Sequence, residues 1–105
     1  MTELVTVYAT FPTPAEAERV ARAMVEAGHA ACANILQPCL SFYRWEGALH
    51  REQEIPALFK TSAGKAKALI DAIAALHSNK VPAITAWSVS EALPAYARWV
   101  GGAVA

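Results

Sequence analysis

Apolar and polar positions alternate in two different periods along the first part of this 105-residue chain. Residues 4–9 are mainly β-branched and aromatic, which is typical of a buried strand. A helix follows, in which Thr13 suits the N-cap, Pro14 the first helical position and Glu16 the closing position of a capping box. Apolar residues then recur at helical spacing. Gly28 follows them, and a glycine at this position predicts the end of the helix.

The central part of the chain predicts a β-hairpin. A second strand covers Ala30–Ile35, is interrupted at Gln37–Pro38 and resumes over Leu40–Trp45, because proline cannot donate a ladder hydrogen bond. Glu46–Ala48 predicts a turn, and a third strand runs from about His50 to Lys60.

Pro56 lies inside that third strand, which predicts either an edge position or a bulge there. Thr61 or Ser62 is the expected N-cap of a second helix, and residues 77–80 are expected to end it. The apolar positions of this helix recur at helical spacing, at Ala66, Leu69, Ile70, Ile73 and Leu76.

The last quarter predicts a strand over Val81–Val89 and a short helix over Pro94–Val100 that Gly101 and Gly102 stop, with Ala103–Ala105 frayed. The order is β-α-β-β-α-β plus a terminal helix, an α+β, ferredoxin-like arrangement with an antiparallel sheet. Both main helices then cover one face of the sheet. Little of the chain is left to cover the other face, which predicts a partner subunit.

Composition supports self-association. Hydrophobic residues make up 55% of the chain and charged residues only 17%, against roughly 45–50% and 25% in ordinary domains. The formal net charge is zero, which disfavours nucleic-acid and anionic-membrane partners. No positively charged segment precedes an apolar run at the N-terminus, and Cys32 and Cys39 are too few for a disulfide framework. We therefore expect a cytoplasmic protein with free thiols.

The segments Ala30–Ile35 and Ser41–Gly47 resemble the strand-and-hairpin signature of the CutA divalent-cation tolerance family. The resemblance covers nearly the whole chain and implies one domain, residues 1–105, with a long central hairpin. It also implies a tight homotrimer packed like the PII signalling proteins, and a link to divalent-metal tolerance and copper binding. Shorter matching segments are Phe59–Thr61, Leu76–His77, Val81–Ile84 and Pro94–Tyr96.

Two departures from the family pattern bear on a metal site. The family usually has Pro-Tyr-Glu after its histidine, whereas this chain has Ser78-Asn79-Lys80, so an aromatic ring and a carboxylate are replaced. If that carboxylate helps to hold a divalent ion, this chain should hold it less well. Pro56 is the second departure, in a strand that the family fills with aliphatic residues.

His77 and Cys32 are the candidate metal ligands. An imidazole at a helix end can ligate copper or zinc, although a histidine there also interacts favourably with the helix dipole without any metal. Cys32 offers a soft sulfur ligand, but a cysteine in a strand is more often a small buried hydrophobe. Cys39 lies seven residues further on, so the two cysteines do not form a zinc-type pair.

Tyr43, Trp45 and Lys60 are the candidate ligand-binding residues. Tyr43 and Trp45 fall on one strand face, opposite Phe42, and either anchor a subunit contact or line a pocket between subunits. Lys60 precedes the expected helix cap, where a cation and a helix N-terminus together attract an anion, or else it simply meets solvent.

Three functions remain open from the sequence. The first is a trimer that binds Cu(II), another divalent cation or a small ligand between its subunits, without any cofactor needed for folding. The second is an enzyme that uses Cys32 and His77 as a thiol–imidazole pair, but no third orienting group or oxyanion motif accompanies them. The third is a structural trimer whose hairpin or cleft engages another protein.

Overall fold

The computed structural model describes residues 3–105, which form an antiparallel sheet flanked by helices. Strand order is β2-β4-β1-β5, and β3 pairs with β4 beyond the end of β2. This confirms the α+β, ferredoxin-like fold with its central hairpin and C-terminal helix. The elements are β1 (Leu4–Phe11), α1 (Pro14–Glu26), β2 (Cys32–Ile35), β3 (Cys39–Trp45), β4 (Ala48–Ser62), a single 3-10 turn (Ala63–Lys65), α2 (Ala66–Leu76), β5 (Ile84–Ser88) and α3 (Pro94–Ala103).

One face of the sheet packs against α1 and α2 to form the main core. Alternate residues of β1 point into it, and the largest side chains in it are fully buried. Each such side chain contributes about 1.5–3 kcal/mol by leaving water. The core includes Val7, Phe11, Val20, Phe59, Leu69 and Ile73.

The opposite face of the sheet, which we call the open face, is covered only at one end. There, α3 buries Val100 and Val104 against Leu4 and Ala31. The rest of the open face carries Trp87, which is 49% exposed although it lies in the middle of β5. In the single chain, most of this sheet face is uncovered, as the sequence predicts.

The hairpin of β3 and β4 extends beyond the rest of the sheet. Its ladder runs from Cys39 opposite Glu54 to Trp45 opposite Ala48, whereas β1 pairs with β4 only as far as Ile55. We call residues 39–54 the arm. Glu46 and Gly47 have φ values of 51° and 80°, the left-handed pair that a tight two-residue hairpin turn requires. The chain measures 45 × 26 × 23 Å as a result of this projection.

The capping predictions are only partly correct. Thr13 caps α1 by accepting a hydrogen bond from the Glu16 N–H, but the Glu16 side chain does not return to close the capping box, because it binds elsewhere. Neither Thr61 nor Ser62 caps a helix with its side chain. Thr61 still belongs to β4, and its hydroxyl donates to the His29 carbonyl at 2.9 Å.

Pro56 occupies the interior of the sheet, so the predicted edge position is wrong. The Leu36 N–H donates to the Pro56 carbonyl at 2.9 Å, which shows that the backbone of Pro56 faces the break between β2 and β3. Residues 36–38 there oppose residues 55–56, an extra residue of the bulge kind. The missing N–H therefore interrupts no hydrogen bond to β1.

The C-terminal predictions also need correction. The last strand is shorter than expected, Ile84–Ser88, because Val81–Ala83 around Pro82 form no regular ladder. Gly101 and Gly102 continue α3 rather than stop it. Val104 is only 2% exposed, so the tail is packed at that residue and not frayed. Across residues 3–105, no helix combines the length and apolar character needed to cross a membrane.

Candidate functional site

His77 lies directly after α2 with its side chain fully buried. Its Nε2 lies 2.7 Å from the Thr10 carbonyl oxygen, and its Nδ1 lies 3.0 Å from the Asn79 backbone nitrogen. The ring also stacks on Phe11, with 4.9 Å between ring centroids. Because a carbonyl only accepts and a backbone N–H only donates, Nε2 carries the proton, Nδ1 accepts, and the imidazole is neutral.

Glu16 binds the same loop from α1. Its Oε2 accepts a hydrogen bond from the Ser78 N–H at 2.9 Å and lies 3.5 Å from His77 Nδ1. Burial by itself raises the pKa of the Glu16 carboxyl, but the hydrogen bonds from Ser78 outweigh burial and hold the pKa below its ordinary value of 4.5. We assign the lowering to Ser78 rather than to an ion pair, because Nδ1 of the neutral ring carries no proton.

His77 therefore has no free nitrogen for a metal ion in this conformation. Both nitrogens are already hydrogen-bonded, and a metal would have to displace Thr10 or Asn79. The replacement of the family's Pro-Tyr-Glu has one clear consequence here: Ser78 donates its backbone N–H to Glu16, which a proline at that position could not do. Within residues 3–105, no group of three or more His, Cys, Asp or Glu side chains is placed to hold a metal ion.

Cys32 lies on the open face, next to α3. Its Sγ is 3.3 Å from the Tyr96 hydroxyl, and in the ladder it is the direct partner of Lys60. The hydrogen bond to Cys32, together with burial, raises the pKa of Tyr96 to about 12. Lys60 is in turn the partner of Thr6, so this row of the open face runs across three strands. The site is a thiol in hydrogen-bond contact with a phenol, with a lysine as its ladder partner on the neighbouring strand.

The thiol–imidazole pair is not formed. Cys32 lies on the open face, whereas His77 stacks on Phe11, which points to the helix-covered face. Lys60 is separated from α2 in the same way, because its neighbours Phe59 and Thr61 face the helices. Within one chain, Lys60 and the start of α2 therefore lie on opposite faces of the sheet, which favours the other alternative, a lysine that faces away from the helix N-terminus.

Cys39 begins the arm and makes a different set of contacts. Its Sγ lies 3.8 Å from the Ser41 hydroxyl, and its ladder partner Glu54 accepts a hydrogen bond from the Thr10 hydroxyl at 3.1 Å. The ladder partners of Cys32 and Cys39 are six residues apart on β4, which corresponds to about 20 Å. One chain therefore cannot bind a single ion with both thiols, and both cysteines are free.

Tyr43 and Trp45 share one face of the arm, as the alternation predicts. Tyr43 stacks on His50 with an interplanar angle of 8° and 5.2 Å between ring centroids. Both aromatic side chains remain about 40% exposed. His50 and Lys60 are ten residues apart on β4, or about 33 Å, so the arm aromatics and Lys60 cannot meet within one chain.

Glu16, Tyr96 and His50 were not identified from the sequence as site residues. Glu16 carried a capping signal, but its actual partner Ser78 is 62 residues away. Tyr96 was visible only as part of a predicted helix, and its partner Cys32 is 64 residues away. His50 could have been paired with Tyr43 by counting outward from the turn at Glu46–Gly47, since hairpin register follows from the turn.

Residues 5–103 match the family described as CutA1 divalent ion tolerance protein. Among curated proteins, the divalent-cation tolerance protein CutA of Thermus thermophilus is 36% identical over 87% of this chain and 88% of its own length. The protein CutA homolog of Xenopus laevis is 32% identical over 92% of this chain, which spans only 64% of that relative's length.

Solved structures show the same fold. The CutA structure from Xylella fastidiosa has a TM-score of 0.94 and 34% identity, and the match covers 97% of this chain and 98% of that one. The structure named periplasmic divalent cation tolerance protein CutA, from Archaeoglobus fulgidus, has a TM-score of 0.93 and 33% identity, over 97% and 99% of the two chains. Sequence and fold therefore agree on the same set of relatives.

Proposed function

Because this chain belongs to the CutA divalent-cation tolerance family, we propose that it acts as a homotrimer that responds to divalent metal. In this proposal the clefts between subunits bind Cu(II), another divalent cation or a small ligand. One observation carries it: within residues 3–105, Cys32 and Cys39 lie opposite residues of β4 that are about 20 Å apart, and no group of three or more His, Cys, Asp or Glu side chains is gathered into one site. A binding site of several ligands then needs more than one copy of the chain.

The exposed side chains of the arm support the assembly. Phe42 is 62% exposed and Leu49 is 70% exposed, although both lie in a regular ladder. Apolar surface of this kind on a projecting element is typical of an interface.

Within the cleft we propose separate roles for the predicted residues. Cys32 supplies the metal ligand, because its thiol lies on the open face and offers copper a soft sulfur donor. Tyr43 and Trp45 of one subunit and Lys60 of another line the cleft, since they cannot meet within one chain. His77 keeps its hydrogen bonds to Thr10 and Asn79, and acts by fixing the loop after α2.

We further propose that this protein is not an enzyme. Among residues 3–105, the hydrogen-bond partner of the Cys32 thiol is the Tyr96 phenol, whose pKa of about 12 keeps it protonated near neutral pH, so it does not serve as the general base that nucleophilic catalysis requires. Turnover of an activated ester or a phosphate ester that is abolished in Cys32→Ser and retained in Cys39→Ser would contradict this proposal.

The test of metal binding is a Cu(II) titration of the purified protein, followed by calorimetry and electron paramagnetic resonance. Cys32→Ser should weaken binding by at least about tenfold, and Cys39→Ser is the matched control because it removes the other thiol from the same sheet face. Equal affinity in wild type and Cys32→Ser would remove Cys32 from the site. A trimer that binds no copper would favour the structural alternative, in which the arm engages another protein.

A cytoplasmic location is part of the same proposal. It rests on the two unpaired thiols, which persist in a reducing compartment. The Archaeoglobus fulgidus relative carries a periplasmic name, so cell fractionation of the native host is the direct test. Recovery in the cytoplasmic fraction is expected, and recovery in a periplasmic fraction would contradict it.

A further inference from the structure

A groove lies between α3 and the neighbouring ends of β1 and β5. Its volume of about 790 Å³ is within the range of about 300–1,000 Å³ that is usual for sites of small molecules. One chain supplies the whole lining, from residues 3–4, residues 89–92 and the α3 residues Pro94, Ala97 and Arg98. These three α3 residues are spaced i, i+3 and i+4, so they lie on one side of the helix.

The apolar part of the lining is held in place by the packing under α3. Leu4 is 5% exposed and belongs to a small cluster with Val100 and Val104, and Val89 packs against the same cluster. The Val89 N–H donates to the Leu4 carbonyl at 3.0 Å, which joins the two strand ends that border the groove. This part of the groove therefore offers a preformed apolar surface to a ligand.

The charged part of the lining has both signs. Glu3 and Glu91 supply carboxylates and Arg98 supplies a guanidinium. Neither of the two ion pairs found over residues 3–105 involves any of these three residues. The start of α3 has no side-chain cap and no acidic residue in its first turn, so the helix dipole adds to the positive charge of Arg98.

These charges limit the kind of ligand that suits the groove. A simple anion would meet the carboxylates of Glu3 and Glu91, and a simple organic cation would meet Arg98. A divalent metal ion would find only two carboxylates here, and within residues 3–105 no group of three or more metal-ligating side chains is gathered. A molecule with an ammonium group, a carboxylate and an apolar body matches all parts of the lining.

We propose that this groove binds a small zwitterion with apolar side chains, of the chemical class of apolar amino acids and short peptides. Arg98 pairs with the ligand carboxylate, Glu91 and Glu3 with its ammonium group, and Leu4 and Val89 contact its apolar part. This goes beyond the proposed function, because each groove belongs to one chain and none of the residues proposed for the cleft between subunits lines it.

The test is calorimetric titration of the purified protein with L-leucine and with the dipeptide leucyl-leucine. Saturable binding of one molecule per chain is expected, and the tighter of the two probes distinguishes a free amino acid from a peptide as the preferred ligand. Arg98→Gln and Glu91→Gln should each weaken binding by at least about tenfold, because each removes one charged hydrogen-bond partner.

Blocked forms of the dipeptide assign each charge to its partner. Amidation of the carboxyl end should weaken binding to wild type as much as Arg98→Gln does, and should have little further effect in that variant. Acetylation of the amino end should behave in the same way toward Glu91→Gln. Losses that simply add up in these combinations would contradict the assigned pairs.

Two variants control for general effects. Arg22→Gln removes the same charge from the exposed side of α1 and should leave affinity unchanged. Ala97→Trp places a large ring in the groove and should abolish binding, with circular dichroism to verify that the variant is folded. Probe binding that persists at wild-type affinity in folded Ala97→Trp would place the ligand elsewhere and overturn the proposal.

The remaining outcomes separate this proposal from the proposed function. A wild-type protein that binds neither probe up to about 10 mM overturns the groove as a site for this class of ligand. Probe binding that is unchanged in both Arg98→Gln and Glu91→Gln also overturns it. A protein that is monomeric and binds no copper, yet binds the probes through these residues, overturns the proposed function and leaves the groove.

Discussion

The loop after α2 and the arm differ in how many of their polar and apolar groups have partners within the chain. Around His77, both ring nitrogens, the Glu16 carboxylate and the amides of Ser78 and Asn79 find partners within the chain, and over residues 3–105 no fully buried side-chain nitrogen or oxygen lacks a hydrogen bond. Over the same residues, the arm leaves Phe42 and Leu49 in solvent and Arg44, Arg51 and Glu52 without an ion-pair partner, although its Glu54 accepts a hydrogen bond from Thr10. A region with every group satisfied is built for stability, and a region with many groups unsatisfied is built to meet something else.

The same substitution, made once in the buried core and once in the arm, separates a region with every group satisfied from one that is left open. Phe59→Ala removes a fully buried ring from the core and should lower the free energy of unfolding by about 3–5 kcal/mol. Phe42→Ala removes a ring that is 62% exposed in the single chain, so it should leave subunit folding nearly unchanged and weaken association instead. Urea unfolding at several protein concentrations distinguishes them, because only the association effect depends on concentration. Equal losses of subunit stability in Phe59→Ala and Phe42→Ala would contradict the difference between the core and the arm.

Substitutions of His77 test the loop after α2, the region in which the polar groups have partners. His77→Ala leaves the Thr10 carbonyl without its donor and opens a cavity beside Phe11, which should cost about 2–4 kcal/mol. His77→Gln keeps an N–H donor and should recover part of that loss. Copper affinity of the folded His77→Ala protein, measured by calorimetry, should equal that of wild type. A large loss of affinity with little loss of stability would identify His77 as a ligand.

Glu16 makes the stability of this region depend on pH. Its pKa is lowered in the folded chain, so its contribution is present above its ordinary value of 4.5 and is lost as the pH falls through the lower folded value. Stability should therefore decline more steeply with acidification in wild type than in Glu16→Gln. Thermal unfolding between about pH 3 and 7 measures the difference. Parallel curves for the two proteins would show that the Ser78 hydrogen bonds do not stabilise the charged form.

The smallest expected effects concern two glycines. Gly47 has a φ of 80° at the tip of the arm, so Gly47→Ala should cost about 1 kcal/mol through backbone strain. Gly102 lies within α3 with nothing within 4 Å of an added Cβ, so Gly102→Ala should stabilise by about 0.5–1 kcal/mol. Thermal unfolding measures both. A loss of stability in Gly47→Ala together with a gain in Gly102→Ala would support a left-handed turn at the tip of the arm. A gain of stability in Gly47→Ala would contradict that turn.

Local signals in the sequence predict the elements well and their side-chain partners poorly. Thr13 and Gly28 mark the ends of α1 correctly, because capping acts within a few residues. Gly101 and Gly102 fail as stop signals, since burial of Val100 and Val104 against Leu4 and Ala31 outweighs their low helix propensity. The alternation in the arm predicts which residues share a face, but not that Cys32 and His77 lie on opposite sides of one sheet. That separation follows from how distant strands pair, which no local pattern contains.

The central claim is that this sheet and its arm are completed by further copies of the same chain. Light scattering coupled to size exclusion at micromolar concentration tests it most directly. A particle of three times the 11.2 kDa of one chain, stable on dilution and weakened by Phe42→Ala, is the predicted result. A folded particle of 11.2 kDa that persists at every concentration would contradict the claim.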